Sequence, residues 1–128
     1  MGALSGWLTS IGRLYQLEKD NLGTKNRDAC LRVLDAAKTT VSRGRDTVNG
    51  TDDWNRQAEA TRNTWMSLRS LMGDLSELGR PNIAQIVAYE FYIQPVTGAM
   101  GSEPFTRWFD RLDKAIDTAR KDVWKGRQ

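Results

Sequence analysis

The chain has 128 residues, of which 39% are hydrophobic and 27% are charged, and its formal net charge is +3. This length suits one domain with a real core, and this composition indicates neither a disordered chain nor a membrane protein. The longest apolar stretch, residues 83–93, is interrupted by Gln85 and Glu90 and is far shorter than the roughly 20 residues that cross a bilayer. No basic region precedes the first apolar residues, so a secretory signal is not indicated and we expect a cytoplasmic location.

Helical periodicity organises the first fifty residues. A first helix is predicted over residues 3–19, ended by Asn21-Leu22-Gly23, since Asn and Gly tolerate the left-handed cap conformation. A second helix is predicted from Thr24 or Asn26 to Asn49-Gly50. Its apolar stripe consists of Cys30, Leu34, Ala37, Val41 and Val48.

Three further helices follow. The third is predicted after Asp52, with apolar residues at heptad-like spacing from Trp54 to Leu75. The fourth, over residues 81–94, is apolar on nearly every side, which is typical of a bundle centre or a subunit interface. The fifth opens at Ser102-Glu103-Pro104 with a cap and a first-turn proline. We therefore predict an all-α fold, a single compact bundle of about five helices, with residues 1–128 as a single helical domain.

Catalytic chemistry finds little support. The chain has no histidine, which removes the commonest general base and most zinc sites. Asp110, Asp113 and Asp117 share one helical face, but cations of the same helix fall at ion-pairing offsets, so a solvated charged face is favoured over a metal site. No phosphate-binding glycine loop occurs, and Cys30 is expected to be a small core residue. We expect no enzyme activity, no catalytic residue, no metal and no cofactor.

The positive charge is concentrated in residues 22–45, which contain six cations and two carboxylates. On a helical wheel they form two rows that flank the apolar stripe. One row is Lys25, Arg32 and Arg43, and the other is Arg27, Lys38 and Arg45.

Long cationic side chains beside a buried stripe can reach phosphates, with Thr40 and Ser42 as neutral donors. Arg62 and Arg69 of the third helix could extend the same surface. The sequence thus predicts binding to the backbone of RNA or single-stranded DNA. The alternative is that these cations only solubilise the helix borders. For the basic tail around Trp124, phosphate contact with stacking and a cationic helix end are equally good interpretations.

Two family resemblances arise. The overall helical plan resembles the small helical subunits of CRISPR effector complexes. Its best local element is Leu75 to Tyr89 with the Ile86-Val87-Ala88-Tyr89 run, followed by Phe105-Thr106-Arg107-Trp108-Phe109 through Ala115-Ile116. This resemblance implies a non-catalytic subunit on guide and target strands, in contact with a larger backbone subunit and a second copy of itself.

Residues 37–43, AKTTVSR, are similar to the RNA-facing helix of insect nodavirus silencing suppressors. Lys38, Thr40, Ser42 and Arg43 would match RNA-facing positions, which implies binding to double-stranded RNA by a dimer.

A third class of function, that of a structural viral protein, is an alternative. Gly2 raises the question of a lipid anchor, and with the basic segment it would suit a viral matrix or capsid protein. Our preferred hypothesis is a nucleic-acid-binding subunit of a ribonucleoprotein complex. Its expected partners are a nucleic acid, a larger protein assembly and further copies of itself, and no membrane.

Overall fold

The computed structural model describes the backbone of residues 2–92 and 103–127 and the side chains of residues 26–92 and 104–127. These residues form four helices and no strand, so the predicted all-α class is confirmed. The helices are α1 (Gly2–Asn49), α2 (Trp54–Glu77), α3 (Pro81–Tyr92) and α4 (Glu103–Trp124).

The predicted number of five helices is wrong, because the first two are one. α1 continues through residues 21–23 without a break. An interior glycine costs a helix only about 1 kcal/mol relative to alanine, so Gly23 permits an end without imposing one. Asn26, predicted as a cap, instead donates from Nδ2 to the Leu78 carbonyl at 3.2 Å.

The predicted stop and start at Gly79-Arg80-Pro81 is confirmed. Gly79 has a φ of 87°, which is unstrained only for glycine. The Gly79 N–H donates to Ser76 O at 3.0 Å and the Arg80 N–H donates to Leu75 O at 3.1 Å. These two bonds form a Schellman motif, which satisfies carbonyls that the end of α2 would otherwise leave unpaired.

Each helix packs against its neighbour in sequence, and α1 also packs against α4, which closes a four-helix ring. The α1 and α2 helices are antiparallel, since Asn26 meets Leu78 while Gln57 donates to Val48 O at 3.4 Å. Short connections favour this arrangement of neighbours.

The core lies where the apolar stripes of the four helices meet. The predicted α1 stripe is confirmed, because all five of its members are fully buried. Trp108, Phe91 and Phe109 are the largest fully buried side chains, and burying each contributes about 1.5–3 kcal/mol.

α3 buries one side and exposes the other. Ile83, Val87 and Phe91 face the core, whereas Tyr89 is 68% exposed and Tyr92 is 61% exposed. The helix predicted over residues 81–94 therefore does not lie at the bundle centre, since part of its apolar surface stays exposed; residues 93 and 94 lie outside the described part of the chain. No described helix has the length and apolar character that a membrane crossing requires.

Candidate nucleic-acid interface

The two predicted basic rows of α1 meet different surroundings. The row of Arg27, Lys38 and Arg45 faces α4. Lys38 Nζ lies 2.6 Å from Asp117 Oδ1 and 3.9 Å from Asp113 Oδ1. Arg45 Nη1 lies 3.1 Å from Asp110 Oδ1. Carboxylates of α4 therefore already pair with Lys38 and Arg45, which makes these cations less available to phosphates than unpaired ones.

Arg27 is also engaged. Its guanidinium lies over the Trp124 ring at 5.0 Å from the centroid, a cation–π geometry. The basic tail is largely occupied too, since Arg120 pairs with Asp35 at 3.2 Å and Arg127 with Asp122 at 3.0 Å. Arg27 and Arg120 thus connect α1 with α4, whereas the Arg127 pair lies within the end of α4 and its tail.

The acidic face of α4 has a different role from the predicted one. Asp110 and Asp117 were expected to pair with cations of their own helix in solvent. They pair instead with Lys38 and Arg45 of α1. Because α1 lies antiparallel to α4, these cations stand at the same positions along the bundle axis as the two acids. Among the described residues, no group of carboxylates and thiols is suited to a metal ion.

The other row is open. Arg32 and Arg43 are exposed and lie within 20° on the helical wheel, about 16 Å apart along α1. Arg32 Nε donates only to Asp28 O, at 3.4 Å, and no carboxylate in the described residues lies within ion-pairing distance of Arg43. The side chain of Lys25 is outside the described residues.

The predicted hydroxyl donors are less suitable. The Thr40 hydroxyl donates to Ala36 O at 2.8 Å within its own helix. Its oxygen can still accept a hydrogen bond, but a phosphate oxygen needs a donor. Ser42 is half-buried. Of the four positions similar to silencing suppressors, Lys38 and Thr40 are thus used by the fold.

Arg62 and Arg69 do not extend the α1 surface. The Arg69 guanidinium lies 5.5 Å from the Trp65 ring centroid, and Trp65 contacts Phe91 and Tyr92 of α3 edge-on. Arg62, seven residues earlier, shares this side of α2. Both cations therefore belong to the face that α2 forms with α3.

A groove of about 500 Å³ runs between α1 and α2 beside Arg43. Its polar lining is Thr40, Arg43, Thr47, Arg56, Glu59, Asn63, Thr64 and Ser67, with Gly44 and Ala60 between them. The helices approach closely here because Gly44 has no side chain. A Cβ atom at this position would lie 2.3 Å from Thr64 Oγ1.

Sequence reasoning missed the α2 side of the groove. Arg56, Asn63 and Ser67 recur at spacings of seven and four, which places them on one face, and this polar row was a usable signal. Arg56 is exposed, and its contact with Asp53 at 3.8 Å is a surface pair of little energetic weight. The carboxylate of Glu59 would repel an anionic ligand, but the groove also contains the two positively charged guanidinium groups of Arg43 and Arg56.

This groove offers two guanidinium groups and two neutral donors, Asn63 and Ser67, on a scaffold of packed helices. Such groups can hold phosphate oxygens without reading bases. No protein-family model, curated protein or solved structure matches this chain.

Proposed function

We propose that this protein is a non-catalytic helical subunit that binds the sugar–phosphate backbone of a nucleic acid along the α1–α2 groove. The observation that carries this proposal is the contrast between the two basic rows of α1. Acids or a ring of α4 occupy one row, whereas Arg43 faces a polar groove and has no carboxylate partner among the residues whose side chains are described.

The groove defines a revised set of binding residues. Arg43 of α1 and Arg56 of α2 supply cations within the groove, with Asn63 and Ser67 as donors. Arg32 is exposed on the same row of α1 outside the groove lining and supplies a third cation. Guanidinium groups suit phosphates because their planar fork can donate two parallel hydrogen bonds. The expected binding is independent of sequence and sensitive to salt.

The setting we propose is a cytoplasmic ribonucleoprotein complex of the CRISPR effector type. It rests on the resemblance of residues 86–89 and 105–109 to small helical subunits of such complexes.

Fluorescence anisotropy with labelled RNA and DNA oligonucleotides tests the proposal. We expect binding at about 50 mM salt, with a logarithmic salt slope of about 2 to 3 for three phosphate contacts. Arg43→Ala/Arg56→Ala should lower this slope by about 2.

Lys114→Ala/Lys121→Ala is the matched control, because it removes two exposed cations from α4, outside the groove. An equal loss in this control would show that net charge, rather than the groove, is responsible. No binding by the wild-type protein at about 50 mM salt would remove the proposed function.

A further inference from the structure

The face formed by α2 and α3 combines exposed aromatic rings with arginines. Tyr89 and Tyr92 are 68% and 61% exposed, although neighbouring Phe91 is 1% exposed. The two tyrosines are three residues apart on α3, which puts them on one side of the helix with an axial offset of about 4.5 Å.

Tyr92 is supported from behind. Its ring lies 4.8 Å from the Phe91 ring centroid and 6.3 Å from that of Trp65. These contacts with a buried ring and a half-buried ring restrict Tyr92 while one side stays in solvent. A restricted, exposed ring loses little entropy when a ligand stacks on it.

The charge of this face is positive. The Arg69 guanidinium lies 5.5 Å from the Trp65 ring centroid, and Arg62 is exposed one heptad earlier. No carboxylate in the described residues pairs with either arginine. Glu90, the acid closest in sequence to the tyrosines, turns away and lies 3.5 Å from Arg111 of α4.

The positive charge of the α2–α3 face favours one of two possible binding partners, a second copy of the protein or an anionic ligand. A second copy placed face to face by a two-fold axis would set Arg62 and Arg69 against the same arginines. That arrangement brings like charges together without a carboxylate to separate them. An anionic partner with flat surfaces avoids this cost, and a single-stranded nucleic acid has both properties.

We propose that the α2–α3 face is a stacking surface for the bases of single-stranded RNA or DNA. Tyr89 and Tyr92 contact base faces, and Arg62 and Arg69 contact the adjoining phosphates. Aromatic rings with a cationic border are the usual means of holding single strands without sequence preference. This inference rests on the proposed function and adds to it the preference for unpaired bases, since a duplex does not present base faces.

The test compares a single-stranded oligonucleotide with its duplex, again by fluorescence anisotropy. Tyr89→Ala/Tyr92→Ala should weaken single-strand binding about tenfold or more and leave duplex affinity unchanged. Its salt slope should equal that of the wild type, because no counterion release is lost. Tyr89→Phe/Tyr92→Phe retains the rings and should bind within about twofold of the wild type.

Arg62→Ala/Arg69→Ala should instead lower the single-strand salt slope, by about 1.4. Tyr89→Ala alone is the variant least able to disturb folding, because Tyr89 makes no ring contact in the described structure. It should still weaken single-strand binding severalfold.

Two results would overturn the stacking surface and leave the groove proposal intact. One is wild-type single-strand affinity in both Tyr89→Ala/Tyr92→Ala and Tyr89→Ala, while Arg43→Ala/Arg56→Ala remains impaired. The other is an equal loss in the phenylalanine variant. If the alanine variants kept nucleic-acid affinity but lost binding to an acidic amphipathic peptide, the face would belong to a protein partner instead. Absence of any nucleic-acid binding by the wild type would remove both proposals.

Discussion

Gly44→Ala tests whether the close approach of α1 and α2 depends on the missing side chain. In the structure an added Cβ would lie 2.3 Å from Thr64 Oγ1 and 2.6 Å from Phe109 Cε1. Phe109 is fully buried and Thr64 is 3% exposed. Neither neighbour is the free end of a flexible side chain, so the helices themselves must move.

The magnitude follows from two opposing contributions. Overpacking a tight core costs typically about 1–3 kcal/mol, and two contacts this short favour the upper end. Alanine is a better helix former than glycine by about 1 kcal/mol. The net expectation for Gly44→Ala is a loss of about 2 kcal/mol in the free energy of unfolding.

Gly73→Ala is the matched control within the same bundle. Gly73 lies in α2, and an added Cβ would meet nothing within 4 Å. No steric cost then opposes the higher helix propensity of alanine, and we expect Gly73→Ala to raise the free energy of unfolding by about 1 kcal/mol. The two substitutions are chemically identical and should shift stability in opposite directions.

Urea unfolding followed by circular dichroism measures both variants. With an unchanged m-value, Gly44→Ala should lower the midpoint by about 1 M and Gly73→Ala should raise it. Thr64→Ala combined with Gly44→Ala should recover part of the loss, because the shortest contact is removed. A Gly44→Ala protein as stable as the wild type would refute the close approach and, with it, the described shape of the groove.

Three further predictions concern charged residues. Lys38→Ala should lower the free energy of unfolding by up to about 1 kcal/mol, measured in urea, and leave the salt slope of nucleic-acid binding unchanged. Arg43→Ala should instead leave the free energy of unfolding unchanged and lower the salt slope. Asp110→Asn/Asp117→Asn should free two cations and steepen that slope by up to about 2, and an unchanged slope would contradict the role given to α4. Arg80 is 3% exposed and donates to the Arg127 carbonyl at 2.6 Å, so Arg80→Ala should cost about 2 kcal/mol in unfolding free energy. A melting temperature equal to the wild type would contradict this last expectation.

Much of the fold was predictable because its signals are local. The stripe from Cys30 to Val48 follows helical periodicity, and that period is set by backbone geometry alone. The end of α2 was predictable for the same reason, since Gly79 and Pro81 act on their own φ angles. The helix end predicted at Gly23 was wrong because a glycine inside a helix is only weakly unfavourable. Continuous backbone hydrogen bonding across Gly23 outweighs that cost.

The candidate site was predictable only in part. Periodicity correctly separated the five described cations of α1 into two rows, but it treated the rows as equivalent. The difference arises from Asp110 and Asp117, which are 65 and 79 residues from their partners in the chain. No local pattern predicts which row a distant helix will cover.

The Thr40 hydroxyl is a different case. A threonine inside a helix commonly donates to the carbonyl four residues earlier, so its engagement with Ala36 could have been anticipated from position alone.

The number of open cations limits what one copy of this protein can do. Arg43 and Arg56 in the groove and Arg32 beyond it on α1 give this part of the surface a salt slope of about 3 at most, which is characteristic of weak, non-specific binding. Linked copies would act on one strand at high effective concentration, and each added copy would multiply the affinity without any new kind of contact. The α2–α3 face would then add stacking between the phosphate contacts. Under this proposal, tight binding is a property of the assembly, and the paired cations of α1 serve it by fixing α4 and leaving the groove exposed.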